Sequence, residues 1–65
     1  MRVSQMVNSI TIAIDAMSGD LGPAVAVSAS LLAVRENEAL SLILVGSPGE
    51  LEALLHPAHE RIQIV

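Results

Sequence analysis

The run Ile10-Thr11-Ile12-Ala13-Ile14-Asp15-Ala16-Met17-Ser18-Gly19-Asp20-Leu21-Gly22-Pro23 decides how this chain folds. Three isoleucines at alternate positions, spaced by Thr11 and Ala13, give a β-branched stretch with the period of a strand. The spacing residues are small rather than strongly polar, which suits a strand covered on both faces. Ser18, Gly19, Asp20 and Gly22 then break the pattern into a loop. Pro23 fits the first turn of a helix, where its missing N–H costs nothing.

Working outward, the helix is predicted to run from Pro23 to Arg35 or Asn37. Val27, Leu31 and Val34 share one face, and Val25, Ala29 and Leu32 widen the apolar arc beyond what one sheet face needs. That width implies a second layer of the same domain or a subunit interface. Leu40–Val45 (Leu-Ser-Leu-Ile-Leu-Val) reads as a buried parallel strand ended by Gly46. In Ser47-Pro48-Gly49-Glu50, Ser47 is placed to cap a second helix, Pro48 to fill its first position, and Glu50 to complete a capping box. That helix is short, from Pro48 to about Leu55, with Leu51, Leu54 and Leu55 facing inward and Pro57 preventing continuation. Ile62–Val65 looks like a third strand.

Strand, helix, strand, helix, strand with short connections predicts parallel pairing and right-handed crossovers. The fold class is α/β, the incomplete βαβαβ start of a doubly wound parallel sheet. Residues 1–9 read as a leader, a candidate for disorder, and residues 10–65 as the N-terminal part of a single α/β domain.

The bulk numbers sharpen this. A chain of 65 residues buries only about 60% of its unfolded surface. It has no cysteine to add a disulfide or thiolate metal cage. Apolar residues make up 52% of it, yet Phe, Trp and Tyr are absent, so the core is aliphatic and each residue buries less area than an aromatic would. High hydrophobicity with a small core leaves apolar surface for a partner or for more chain, and the expectation is a fragment too short to be an enzyme alone. Net charge is −4, with Arg2, Arg35 and Arg61 the only Lys or Arg residues. That excludes the basic stripe of a nucleic-acid binder and a polybasic membrane patch within this segment. The low-polarity run Ala24–Val34 is about half the roughly 20 residues of a membrane span. Polar residues interrupt any signal-peptide core near the start. The default expectation is a soluble intracellular protein.

In open α/β sheets, ligands bind outside the carboxyl ends of the strands, on loops leading into helices. Helix capping alone explains the loop Gly46–Gly49. The first loop is richer, because glycines admit close backbone approach and a helix N-terminus offers free N–H groups to an anion. It lacks both Gly-x-Gly-x-x-Gly and Gly-Lys-Ser/Thr, so it is neither a dinucleotide fingerprint nor a P-loop. Asp15 and Asp20 sit awkwardly beside a bound phosphate. They are better suited to positioning a donor, holding a polar substrate group or organising the loop.

The pattern Asp15-x-Met17-x-Gly19-Asp20-x-Gly22-Pro23 after an Ile-rich strand resembles the N-terminal signature of bacterial phosphate acyltransferases of the PlsX type. Leu42-Ile43-Leu44-Val45-Gly46 is similar to that family's second strand, and Arg61-Ile62-Gln63-Ile64-Val65 to the approach to its third. The likeness runs from about Ile10 to the end. One departure is Ser18, which stands where the family usually has the first of two loop glycines. A serine there is costly if the position needs positive φ.

The resemblance implies a three-layer α/β/α Rossmann-like domain of the isocitrate-dehydrogenase-like group. It implies transfer of a fatty acyl group from acyl carrier protein to inorganic phosphate, giving acyl-phosphate for phospholipid synthesis. It also implies a cytoplasmic homodimer, peripherally associated with the membrane, needing no metal or organic cofactor. The substrate-binding candidates are Asp15, Met17, Ser18, Gly19, Asp20 and Gly22, with Asp20 a candidate to orient a donor or take a proton from phosphate. Two rivals remain: another α/β phosphate or nucleotide binder with a convergent loop, and a non-catalytic fragment that self-associates through its sheet edge and helix face. His56 and His59 flank Pro57 without a nearby third ligand and read as solvated loop histidines. Glu36 and Glu38 read as a solvated helix end.

Overall fold

Alternation along three aliphatic runs builds a small parallel sheet with both helices on one face. The computed structural model describes residues 9–19 and 22–65. The expected leader, apart from Ser9, lies outside the described residues, as do Asp20 and Leu21. The order is β1 (Ile10–Asp15), α1 (Gly22–Glu36), β2 (Leu40–Val45), α2 (Pro48–Leu54) and β3 (Ile62–Ile64). The strands pair in parallel in the order β1-β2-β3, the βαβαβ topology read from the sequence.

Register fixes which side chains share a face. Ile10, Ile12 and Ile14 pair with Leu40, Leu42 and Leu44, and the last two pair onward with Ile62 and Ile64. Side chains alternate across a strand, so these residues form one aliphatic face. Both helices pack on it. Leu42, Leu44 and Ile62 are buried with Val27 and Val34 of α1, and with Leu51 and Leu55 at α2. The expectation that the strands are covered on both faces is not met within the described residues. Thr11, Ala13 and Val45 on the other face are exposed, and Ile43 is half-buried. Two successive crossovers of one hand that step the sheet in one direction put their helices on the same side.

Two expectations for the second helix are corrected, while the first keeps its wide apolar arc: Val25, Ala29 and Leu32 of α1 are exposed beside the buried stripe through Val27, Ser30 and Val34. Ser30 enters that stripe with its hydroxyl satisfied, donating to the Ala26 carbonyl at 2.7 Å. In α2, Leu54 is exposed, since a seven-residue helix has one inward stripe and Leu51 with Leu55 fills it. Ser47 is the N-cap by backbone geometry, but its side chain makes no capping bond and the box with Glu50 does not form. The first-turn bond is made by the Leu51 N–H to the Ser47 carbonyl at 3.0 Å. No helix among the described residues is long and apolar enough to cross a membrane.

At the amino edge of the sheet, Arg61 does work that pattern reading does not assign to it. Its guanidinium donates to the carbonyls of Val34 at 2.5 Å, Leu40 at 2.6 Å and Asn37 at 2.8 Å. A helix end leaves carbonyls without intrahelical partners, and one planar fork here serves the end of α1 and the turn into β2. Asn37 completes that turn by accepting the Ala39 N–H on its side chain at 3.1 Å. In a protein carrying this sequence, Arg61→Ala is expected to lower stability by about 1.5–3 kcal/mol, the range for bonds to a charged donor. Arg61→Lys should recover only part of the loss, because a point ammonium cannot span three carbonyls. The urea midpoint checks this; an unchanged midpoint for Arg61→Ala would mean that water serves these carbonyls equally well.

Candidate functional site at the carboxyl edge

Parallel pairing carries β1 and β2 to the same edge of the sheet, where Asp15 and Val45 are register partners. The two strand-to-helix loops therefore leave side by side. The Ala16 N–H extends the ladder by donating to the Val45 carbonyl at 2.9 Å, and Ala16 is fully buried. Beyond it the chain turns on Asp15, whose Oδ1 accepts the Met17 N–H at 3.1 Å while the Ser18 hydroxyl donates to its carbonyl at 3.5 Å. An aspartate that bonds the backbone two residues ahead imitates a turn with its own side chain. Asp15 thus organises the loop it opens.

Gly19 has φ +97° and Gly22 φ +81°, and a Cβ built on either would meet nothing within 4 Å. Their requirement is conformational, since left-handed backbone costs an L-residue roughly 1–2 kcal/mol. Ser18 is different. No non-glycine residue among those described has positive φ, so the serine carries no left-handed penalty and the cost considered from the sequence does not arise. Asp15, Met17, Ser18, Gly19 and Gly22 are brought to this edge; Asp20 lies outside the described residues.

The second loop holds a contact that sequence reading missed. A Cβ built on Gly46 would lie 2.7 Å from the Met17 sulfur and 3.2 Å from Cδ1 of Leu51. Gly46 is glycine for space, and the methionine of the first loop occupies that space. The signal was a glycine directly after a strand, but nothing local says which side chain covers it.

Among the described residues, the cations sit at the other end of the sheet. Arg35 lies in the last turn of α1 and Arg61 just before β3. His56 is exposed, whereas His59 is half-buried and its Nδ1 accepts the Arg61 N–H at 3.0 Å, a turn-forming role. No group of three metal-ligating side chains occurs among the described residues. On the helix-covered face, small residues leave an open apolar groove of about 320 Å³ between Ile12 and Ile14 of β1 and Ala26, Ala29 and Ala33 of α1.

Parallel strands joined through helices make the chain an α/β protein, a class whose ligands bind at the carboxyl edge of the sheet. No family model matches it. Over 56 residues it is 73% identical to a phosphate acyltransferase of Marinobacter nauticus, a match covering 86% of this chain and 16% of that protein. The chain belongs to the phosphate acyltransferase family, and it spans about a sixth of the length of this curated relative.

The two hinge glycines and the serine should respond differently to substitution. Gly19→Ala and Gly22→Ala are each expected to destabilise by about 1–2 kcal/mol through backbone strain. Ser18→Gly should lose only about 0.5–1 kcal/mol, through added freedom in the unfolded chain. Denaturant midpoints of the full-length protein test the order. A stabilising Ser18→Gly would show that position 18 prefers left-handed backbone after all.

Proposed function

We propose that the full protein carrying these residues moves a fatty acyl group from acyl carrier protein to inorganic phosphate, yielding acyl-phosphate for phospholipid synthesis. The observation that carries this reading is the family identity across the loop. Any 56-residue stretch of a 65-residue chain includes residues 10–56, so the match takes in the Asp15–Pro23 loop and Gly46.

In the proposed reaction a phosphate oxygen attacks the thioester carbonyl carbon. A C–O bond forms, the C–S bond breaks, and the carrier's sulfur leaves as thiolate and takes up a proton. The site must hold a multiply charged nucleophile against that carbon and stabilise the oxyanion that develops. Backbone N–H groups in the first turn of α1 are suited to the phosphate. Asp20 orients a donor or accepts a proton from phosphate, and Asp15 keeps the loop in shape through its bond to the Met17 N–H. The cations that balance phosphate come from elsewhere in the full protein, since Arg61 is engaged with carbonyls at the opposite edge. The same reading makes the full enzyme a cytoplasmic homodimer that associates peripherally with the membrane.

The test is phosphate-dependent release of free carrier protein from acyl carrier protein. It is run on the full-length protein and on the 65-residue chain, with activity expected only in the former. Asp20→Asn in the full-length protein should lower turnover on the order of a hundredfold, the effect of removing a general acid or base. Undiminished turnover would remove Asp20 from the mechanism. A folded but inactive full-length protein would overturn the assignment of acyl carrier protein and inorganic phosphate as its substrates.

A further inference from the structure

Two kinds of glycine meet at the carboxyl edge. Gly19 and Gly22 are needed for their φ and face open space, whereas Gly46 has no left-handed φ and faces the Met17 side chain. Met17 is 39% exposed, so this large apolar side chain lies across the neighbouring loop instead of entering the core. Its backbone is fixed from the other side by Asp15. The first half of the loop is thus held at two points, an aspartate turn at its base and a methionine laid in a glycine notch.

We propose that Gly46 is a positioning residue for the β1–α1 loop: the missing side chain seats Met17, and seated Met17 sets where the loop presents its groups to phosphate. This rests on the phosphate-handling role given to that loop above. The energetics say what a Cβ at position 46 would displace. Optimal separations between non-bonded heavy atoms are about 3.5–4.0 Å, so a contact of 2.7 Å to the sulfur requires a shift on the order of 1 Å. Leu51 is fully buried in the core and needs to give only slightly. Met17 is flexible and half in solvent, so it is the partner that moves. The fold survives and the loop loses its seat.

The experiment uses the full-length enzyme with Gly46→Ala, Met17→Ala and the double variant, measuring the phosphate KM at saturating acyl carrier protein. Each single variant is expected to raise that KM by about tenfold with kcat little changed, within what a 1 Å misplacement near a reacting group produces. The double variant should be no worse than either single one, because both remove the same contact. Met17→Ala introduces no clash, so it reads out the seat even if Gly46→Ala folds poorly. Amide hydrogen exchange at Met17, Ser18 and Gly19 is followed in parallel and should quicken in both single variants. An active wild type whose variants keep its phosphate KM would overturn the inference, as would unchanged exchange at these amides. A wild type without phosphate-dependent turnover would instead overturn the proposed function, with the exchange data still deciding whether the seat exists.

Discussion

Parallel pairing of β1 with β2 is the constraint on which everything else depends. Two parallel strands cannot be joined by a tight turn, so the chain must travel back across the sheet before each new strand begins. That return path is α1, then α2. It forces every strand to finish at one edge and every helix to finish at the other. The Asp15–Val45 register brings the strand ends together, and with them the loop carrying Gly19 and Gly22 and the loop carrying Gly46. The opposite edge collects the helix ends, where Arg61 gathers three carbonyls. The glycine-bearing loops and the Arg61 brace are separated because the topology separates the two kinds of chain end.

How much of this was legible in the sequence follows from the range of the interactions involved. The strands and the helix starts were readable, because alternation of Ile and Leu, and Pro23 and Pro48 at helix openings, are signals within a few residues. Positive φ at Gly19 and Gly22 fits the breaker cluster seen there. The misreadings are tertiary. Leu54 looked as inward as Leu55 until the core chose one stripe. Ser47 had the right type for a capping bond but not the geometry. The contacts of Arg61 reach back 21 to 27 residues, and Met17 meets a glycine in a different loop. No local pattern encodes partners that distant.

The apolar residues left exposed are not scattered at random. Ile10 and Ile12 lie on the helix-covered face beyond the reach of α1, Val45 lies on the bare face, and Val25 and Leu32 lie on the outer side of α1. Parallel sheets are ordinarily covered on both faces, and their helices pack against neighbours as well as strands. The composition that looked excessive for a small core is therefore placed where a layered α/β architecture buries it. The alanines of α1 widen this surface, since Ala26, Ala29 and Ala33 leave a groove where larger residues would have met Ile12 and Ile14.

The carboxyl edge shows the opposite economy. Left-handed backbone at Gly19 and Gly22 adds no contact that a side chain could make, and a methionine that could have entered the core lies half in solvent. Each choice forgoes burial. Glycine takes left-handed backbone at no steric cost, so the surrounding structure has only to hold the loop in place. Here that structure is the ladder bond from Ala16, the turn built on Asp15 and the seat at Gly46. Glycine is required for conformation at two positions of this loop and for space at a third in the neighbouring one. The sequence spends its small residues on fixing the shape of this edge, where a parallel α/β sheet meets its ligand.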